Sequence, residues 1–184
     1  MAVALYLDTL LLLMVTAAAV KDLESRCIPN RLLAAGMACA LVLHLLSPQP
    51  LAGLLAWLGG TATGLAIFLP FYLVRGMAAG DVKMMAAVGA FAGPGDALRI
   101  AILAWCVGGV MALAVIVFKG RLRMALANIW AILKPMLLRL PRGPAPAIGG
   151  AGGQPSAGSI PYGVAIAAGA IVLLVSRYAD RPLL

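Results

Sequence analysis

GMAAGDVKMMAAVGAFAG, residues 76–93, sets one aspartate, Asp81, at the head of an apolar run. A carboxylate at bilayer depth costs about 2.5–3.5 kcal/mol on insertion scales, so an acid there has a partner or a task. The chain around it is equally oily. It has 184 residues, 64% of them hydrophobic and 11% charged, and its mean hydropathy is +1.05. Soluble domains carry about 25% charged residues. Long apolar segments recur from one end to the other, so the chain reads as an all-α, polytopic membrane protein, a single membrane-embedded domain over residues 1–184.

A spanning helix needs about 20 largely apolar residues. On that measure the sequence predicts about six segments: Ala4 to Val20, Arg31 to Leu46, Leu51 to Val74, a short fourth from Val82 to Ala92, Ala97 to Phe118, and Ile160 to Ser176. Ser47-Pro48-Gln49-Pro50 is a tight turn, and Gly93-Pro94-Gly95 stops the fourth segment. The third segment carries Ala56, Gly60 and Gly64 at four-residue spacing, a face of small residues that lets another helix approach closely. Pro161 suits the first turn of the last helix. The fourth segment is too short for a plain crossing and needs tilt, thinning or burial among neighbours. Residues 121–140, apolar but interrupted by Arg123, Asn128, Lys134 and Pro135, read as a helix lying in the cytoplasmic interface. Residues 141–159, rich in Pro, Gly, Ala and Ser, read as a flexible cytoplasmic linker.

The net charge of +8 fits basic loops at a membrane surface rather than a nucleic-acid partner. With the N-terminus outside, Lys21, Arg26, Arg31, Arg75, Lys83, Lys119, Arg121, Arg123, Lys134, Arg139 and Arg142 fall inside, and only Arg99, Arg177 and Arg181 outside. That asymmetry sets the orientation. A secretory signal would need a basic region before its apolar core, yet the first basic residue, Lys21, follows it; the first segment is therefore read as retained. Cys27, Cys39 and Cys106 lack metal-site spacing; Cys39 and Cys106 are expected to be packing residues and Cys27 a reduced surface thiol.

In this orientation Asp8, Asp96 and Asp180 lie outside, and Asp22, Glu24 and Asp81 inside. Asp22 ends the first segment and Asp81 opens the fourth, at one membrane depth. Glu24, two positions on, points about 200° away. Asp22 and Asp81 are the natural pair. An ionised carboxylate can take a proton from water attacking a peptide carbonyl while a protonated one polarises that carbonyl and protonates the leaving amine. Such a pair needs no metal and no cofactor. His44 has no plausible ligand set and is read as structural. Each acid is also open to a plainer reading, Asp81 as an N-cap and Asp22 as an ion-pair partner of Lys21, Arg26 or Lys83. Spacing alone equally allows a proton-conducting pair or a transport site.

Three stretches resemble the type IV prepilin peptidases, membrane aspartic proteases of the GxGD kind: Asp22 to Leu32 (DLESRCIPNRL), residues 76–93, and Ser159 to Ile171 (SIPYGVAIAAGAI). They span the chain in the family's order. The resemblance implies that Asp22 and Asp81 are catalytic. It implies cleavage of prepilin leaders at the cytoplasmic face of a bacterial inner membrane. The short chain is similar to the form serving tight-adherence (Flp-type) pili, with prepilin or pilin-like substrates and membrane lipid as partners. The four-cysteine insert of longer members is absent, so methylation of the new pilin N-terminus is not expected. The first motif glycine is replaced by Ala78, which matters if that position needs positive φ.

Supporting roles are expected of six residues. Gly80 leaves room for an extended substrate strand. Lys83 steadies Asp81, senses an acidic substrate side chain, or anchors its helix at the interface. Pro29 ends the loop after the first segment and Asn30 caps the second. Gly76 precedes the altered motif, and Tyr162 packs beside the site. Asp81 at a helix N-terminus and Asp22 near a helix C-terminus suggest that Asp22 holds the shared proton. The competing reading of the chain is a non-enzymatic membrane subunit of a secretion or transport assembly.

Overall fold

The computed structural model describes residues 2–74, 76–120, 130 and 161–179. They form α1 (Ala2–Ser25), α2 (Asn30–Leu45), α3 (Pro50–Leu73), α4 (Ala79–Phe118) and α5 (Tyr162–Ala179), with no strand among them. The chain divides into two compact units, residues 1–108 with 161–184, and residues 109–160. The first holds everything argued below. Of the second, the described part is the end of α4, a turn at 119–120 and Trp130. The interfacial helix expected at 121–140 (Trp130 alone excepted) and the linker expected at 141–159 lie outside the described residues.

Four helices are long and apolar enough to cross a membrane, residues Val3–Ser25, Pro50–Leu73, Ala79–Phe118 and Tyr162–Ala179, and Asn30–Leu45 is a shorter apolar helix. α4 consists of two helices that meet at a non-helical residue, Gly93 (φ 77°, ψ 173°), which separates the fourth and fifth expected segments. That backbone region is open essentially to glycine alone. The break reverses the chain. Asp81, before it, lies within electrostatic reach of Tyr162, and Gly108, after it, packs against the same ring.

Polar contacts mark the two ends of this unit. α1 packs along α5 and α2, and α2 along α3. At one end Gly163 of α5 meets Asp22 of α1; at the other Arg177 of α5 meets Asp8 of α1 at 2.8 Å and also Asp96 of α4. α1 and α5 are therefore antiparallel. The Tyr178 hydroxyl donates to Asp8 Oδ2 at 2.9 Å, so three helices converge on one arginine there.

Residues 79–92 are the centre of the unit. Asp81, Val82 and every residue from Met84 to Phe91 are buried, and between Asp81 and Phe91 only Lys83 is exposed. Burial among neighbours is thus how the short fourth segment is accommodated. Close approach makes it possible. A Cβ on Gly60 would overlap the Gly89 carbonyl, one on Gly64 the Met85 carbonyl, and one on Gly93 would touch Ala56 Cβ at 3.9 Å. The Ala56, Gly60, Gly64 face expected from the sequence is the surface on which α4 lies backbone to backbone. His44 is buried with Nε2 3.1 Å from the Ala90 carbonyl, the structural role expected of it. Leu13, Leu55, Val172 and Val175 face outward, as apolar side chains do against lipid. Cys39 and Cys106 do not pack in the core as expected; both are exposed, because their positions fall on outward faces of α2 and α4.

Candidate active site

Asp22 sits in the last turn of α1. The helix ends three residues later, where Arg26 takes φ 54°, the one positive value among described non-glycine residues. Its N–H closes on the Asp22 carbonyl at 3.0 Å. The chain then runs through Cys27 and Ile28 to Pro29 (φ −64°, ψ 123°), extended as an X-Pro step favours. Ile28 is buried. It fills the space beside Gly80, where a Cβ would lie 3.8–3.9 Å from the Ile28 side chain. The loop after α1 is thereby fastened to the turn that opens α4.

Asp81 stands in the first turn of α4, its N–H bonded to the Ala78 carbonyl at 3.2 Å. Ala78 is not left-handed, so alanine at the first motif position brings no backbone strain. Asp22 and Asp81 are both buried, at 6% and 7% exposure, in a bundle whose other acids are mostly at the surface or ion-paired. They interact electrostatically with each other, and Asp81 with Tyr162.

The supporting residues divide. Tyr162 is beside the site as expected, its ring edge-on to Phe68 at 6.0 Å and seated over Gly108, where a Cβ would be 2.7 Å from Cε2. Gly80 faces Ile28, whose side chain would lie 3.8–3.9 Å from a Cβ at that position. Lys83 does not pair with Asp81; its Nζ donates to Asn30 Oδ1 at 3.1 Å, with both residues exposed. Asn30 accordingly does not cap α2. The cap position is Pro29, which makes no side-chain bond, and Asn30 is the first helical residue. Gly76 is exposed and closes the end of α3, its N–H donating to the Phe71 carbonyl at 2.8 Å. No contact joins it to either acid.

One partner of Asp22 went unread in the sequence. The Gly163 N–H donates to Asp22 Oδ2 at 2.9 Å, in a buried bond 141 positions apart. The first turn of α5 faces this acid. Asp22, in the last turn of α1, therefore also meets the N-terminus of α5, which offsets the dipole asymmetry expected between the two acids. The signal for Gly163 lies in the Pro-Tyr-Gly opening of the last helix, where a glycine in the first turn lets another group approach the backbone.

Two buried carboxyl groups at one end of the bundle, one of them bonded to a backbone N–H, are residue types equipped for acid–base work on a bound water. No curated protein and no solved structure matches the chain. A family model described as the type IV leader peptidase family matches residues 9–113, a stretch that carries both Asp22 and Asp81 and stops short of α5. Covering more than half of the sequence, that match places this helical membrane chain in the type IV leader peptidase family.

Proposed function

We propose that the chain is a membrane aspartic endopeptidase that removes the leader of type IV, Flp-like prepilins at the cytoplasmic face of the inner membrane. One observation carries the reading: Asp22 and Asp81, from different helices, are buried at the same end of the bundle and interact. Family membership supports a peptidase, and the residue geometry supports the aspartic type.

In this mechanism one carboxylate takes a proton from the attacking water. The other, protonated, hydrogen-bonds the scissile carbonyl, then passes its proton to the departing amine. The pair ends the cycle with its protons exchanged and titrates as a unit. Tyr162 walls the pocket on the side of Phe68 and Gly108. The excess of basic residues on the loops at the Asp22 end supports a cytoplasmic location for the site. The basic leader enters there, while the pilin's apolar helix stays in the bilayer.

Co-expression with an epitope-tagged prepilin tests the reading. The wild-type chain shortens the prepilin on a gel, and Asp22→Ala and Asp81→Ala each leave it full length. Shortening that survives either substitution would dismiss the mechanism.

A further inference from the structure

Asp22 has been read as one of two catalytic acids, and the following rests on that reading. Its Oδ2 is held by a group from the other end of the sequence. Gly163 is the second residue of α5, and the bond from Val164 N–H to the Pro161 carbonyl, at 3.1 Å, begins the helix's own ladder. The Gly163 N–H is one of the donors that a helix start cannot satisfy internally. It points at Asp22, at 2.9 Å. The approach requires glycine. A Cβ at 163 would stand 2.8 Å from Asp22 Oδ2 and 3.1 Å from its Cβ. The neighbouring Tyr162 ring, lodged on Phe68 and Gly108, fixes the height at which this helix start meets the acid.

We propose that the Gly163 N–H is a positioning group for catalysis: it commits Oδ2 of Asp22 to a fixed anchor and leaves Oδ1 for proton transfer with the attacking water. The start of α5 is then a third component of the active site, outside the stretch matched by the family. A carboxyl group on a flexible stem loses orientation when such a donor is removed, and misplacement is felt in the chemical step more than in binding. Charge-assisted bonds of this kind are also among the stronger hydrogen bonds.

The test replaces the N–H with an ester oxygen, which cannot donate and repels Asp22 Oδ2. Glycolic acid inserted in place of Gly163 turns that amide into an ester without adding an atom beside Asp22. The same replacement at Gly169, whose N–H serves the helix ladder, is the control. The full-length chain is reconstituted in lipid vesicles and assayed on a labelled prepilin. With the ester at 163, kcat falls about 10–100-fold while KM for the prepilin stays within twofold, and the control keeps near-normal kcat. A kcat within twofold of wild type would overturn the assignment, leaving the two-aspartate mechanism intact. Equal losses in both esters, in step with a lowered melting temperature, would overturn it too, because the N–H would then serve only the helix end. A wild-type chain that fails to cut the prepilin would instead remove the underlying reading.

Discussion

A buried acid is costly unless something holds it, and here Asp22 and Asp81 are held differently. The Asp22 carboxyl has a backbone donor from a distant helix, whereas the Asp81 carboxyl has a backbone hydrogen bond from Ala78 in its own turn. Neither is in a salt bridge with a described basic residue, unlike Asp8, Asp96 and Glu24. Asp22→Asn and Asp81→Asn preserve size and packing, so each is expected to fold and to lower kcat by about 10²–10⁴-fold, read in the prepilin assay. Ala78→Gly tests the altered motif. Because position 78 has ordinary backbone geometry, restoring glycine should leave cleavage within about fivefold, the equivalent of about 1 kcal/mol.

At the scale of the helix, α4 decides how the two acids meet. Its forty residues would run about 60 Å if straight, roughly twice a bilayer's hydrocarbon thickness. The glycine at 93 folds it back, so its first fourteen residues form a buried inner strut and the remainder returns toward Tyr162. Gly93→Ala forces a side chain into a glycine-only conformation and is expected to cost about 1–3 kcal/mol. Gly89→Ala places a methyl against the Gly60 carbonyl and should cost a similar amount by overpacking. Both losses are measurable as a lower midpoint of thermal unfolding in detergent. A Gly93→Ala chain as stable as wild type would mean that the backbone reversal is made elsewhere.

On the scale of the whole molecule, the two ends of the bundle serve different ends. Arg177 ties α1, α4 and α5 together through Asp8 and Asp96, about 21 Å along α1 from Asp22. Arg177→Gln leaves those carboxylates with weaker partners and is expected to cost about 1–3 kcal/mol of stability, with kcat of the folded fraction unchanged. A fall in kcat without a fall in melting temperature would show that this clamp reaches the site. The proposed orientation has its own test. In a chain keeping Cys27 and carrying Cys39→Ala and Cys106→Ala, a membrane-impermeant maleimide should label inside-out vesicles and spare intact cells. The reverse pattern would put the acids on the wrong side of the membrane for cytoplasmic leaders.

Local chemistry was legible in the chain itself. Apolar run length fixed the helices to within a few residues, four-residue spacing of Ala56, Gly60 and Gly64 announced a close helix contact, and Asp22 and Asp81 stood out because charge is rare in such company. Those features depend on neighbours in sequence, or on the cost of putting a charge in lipid, and both can be read along one strand of letters. Tertiary structure alone decided what each group touches. It gave Lys83 to Asn30 rather than Asp81, folded the fifth expected segment back on the fourth at Gly93, and brought the Gly163 N–H to Asp22 across 141 positions. Such choices turn on packing geometry between helices far apart in the chain, where a difference of one turn selects a different partner and no local propensity records which.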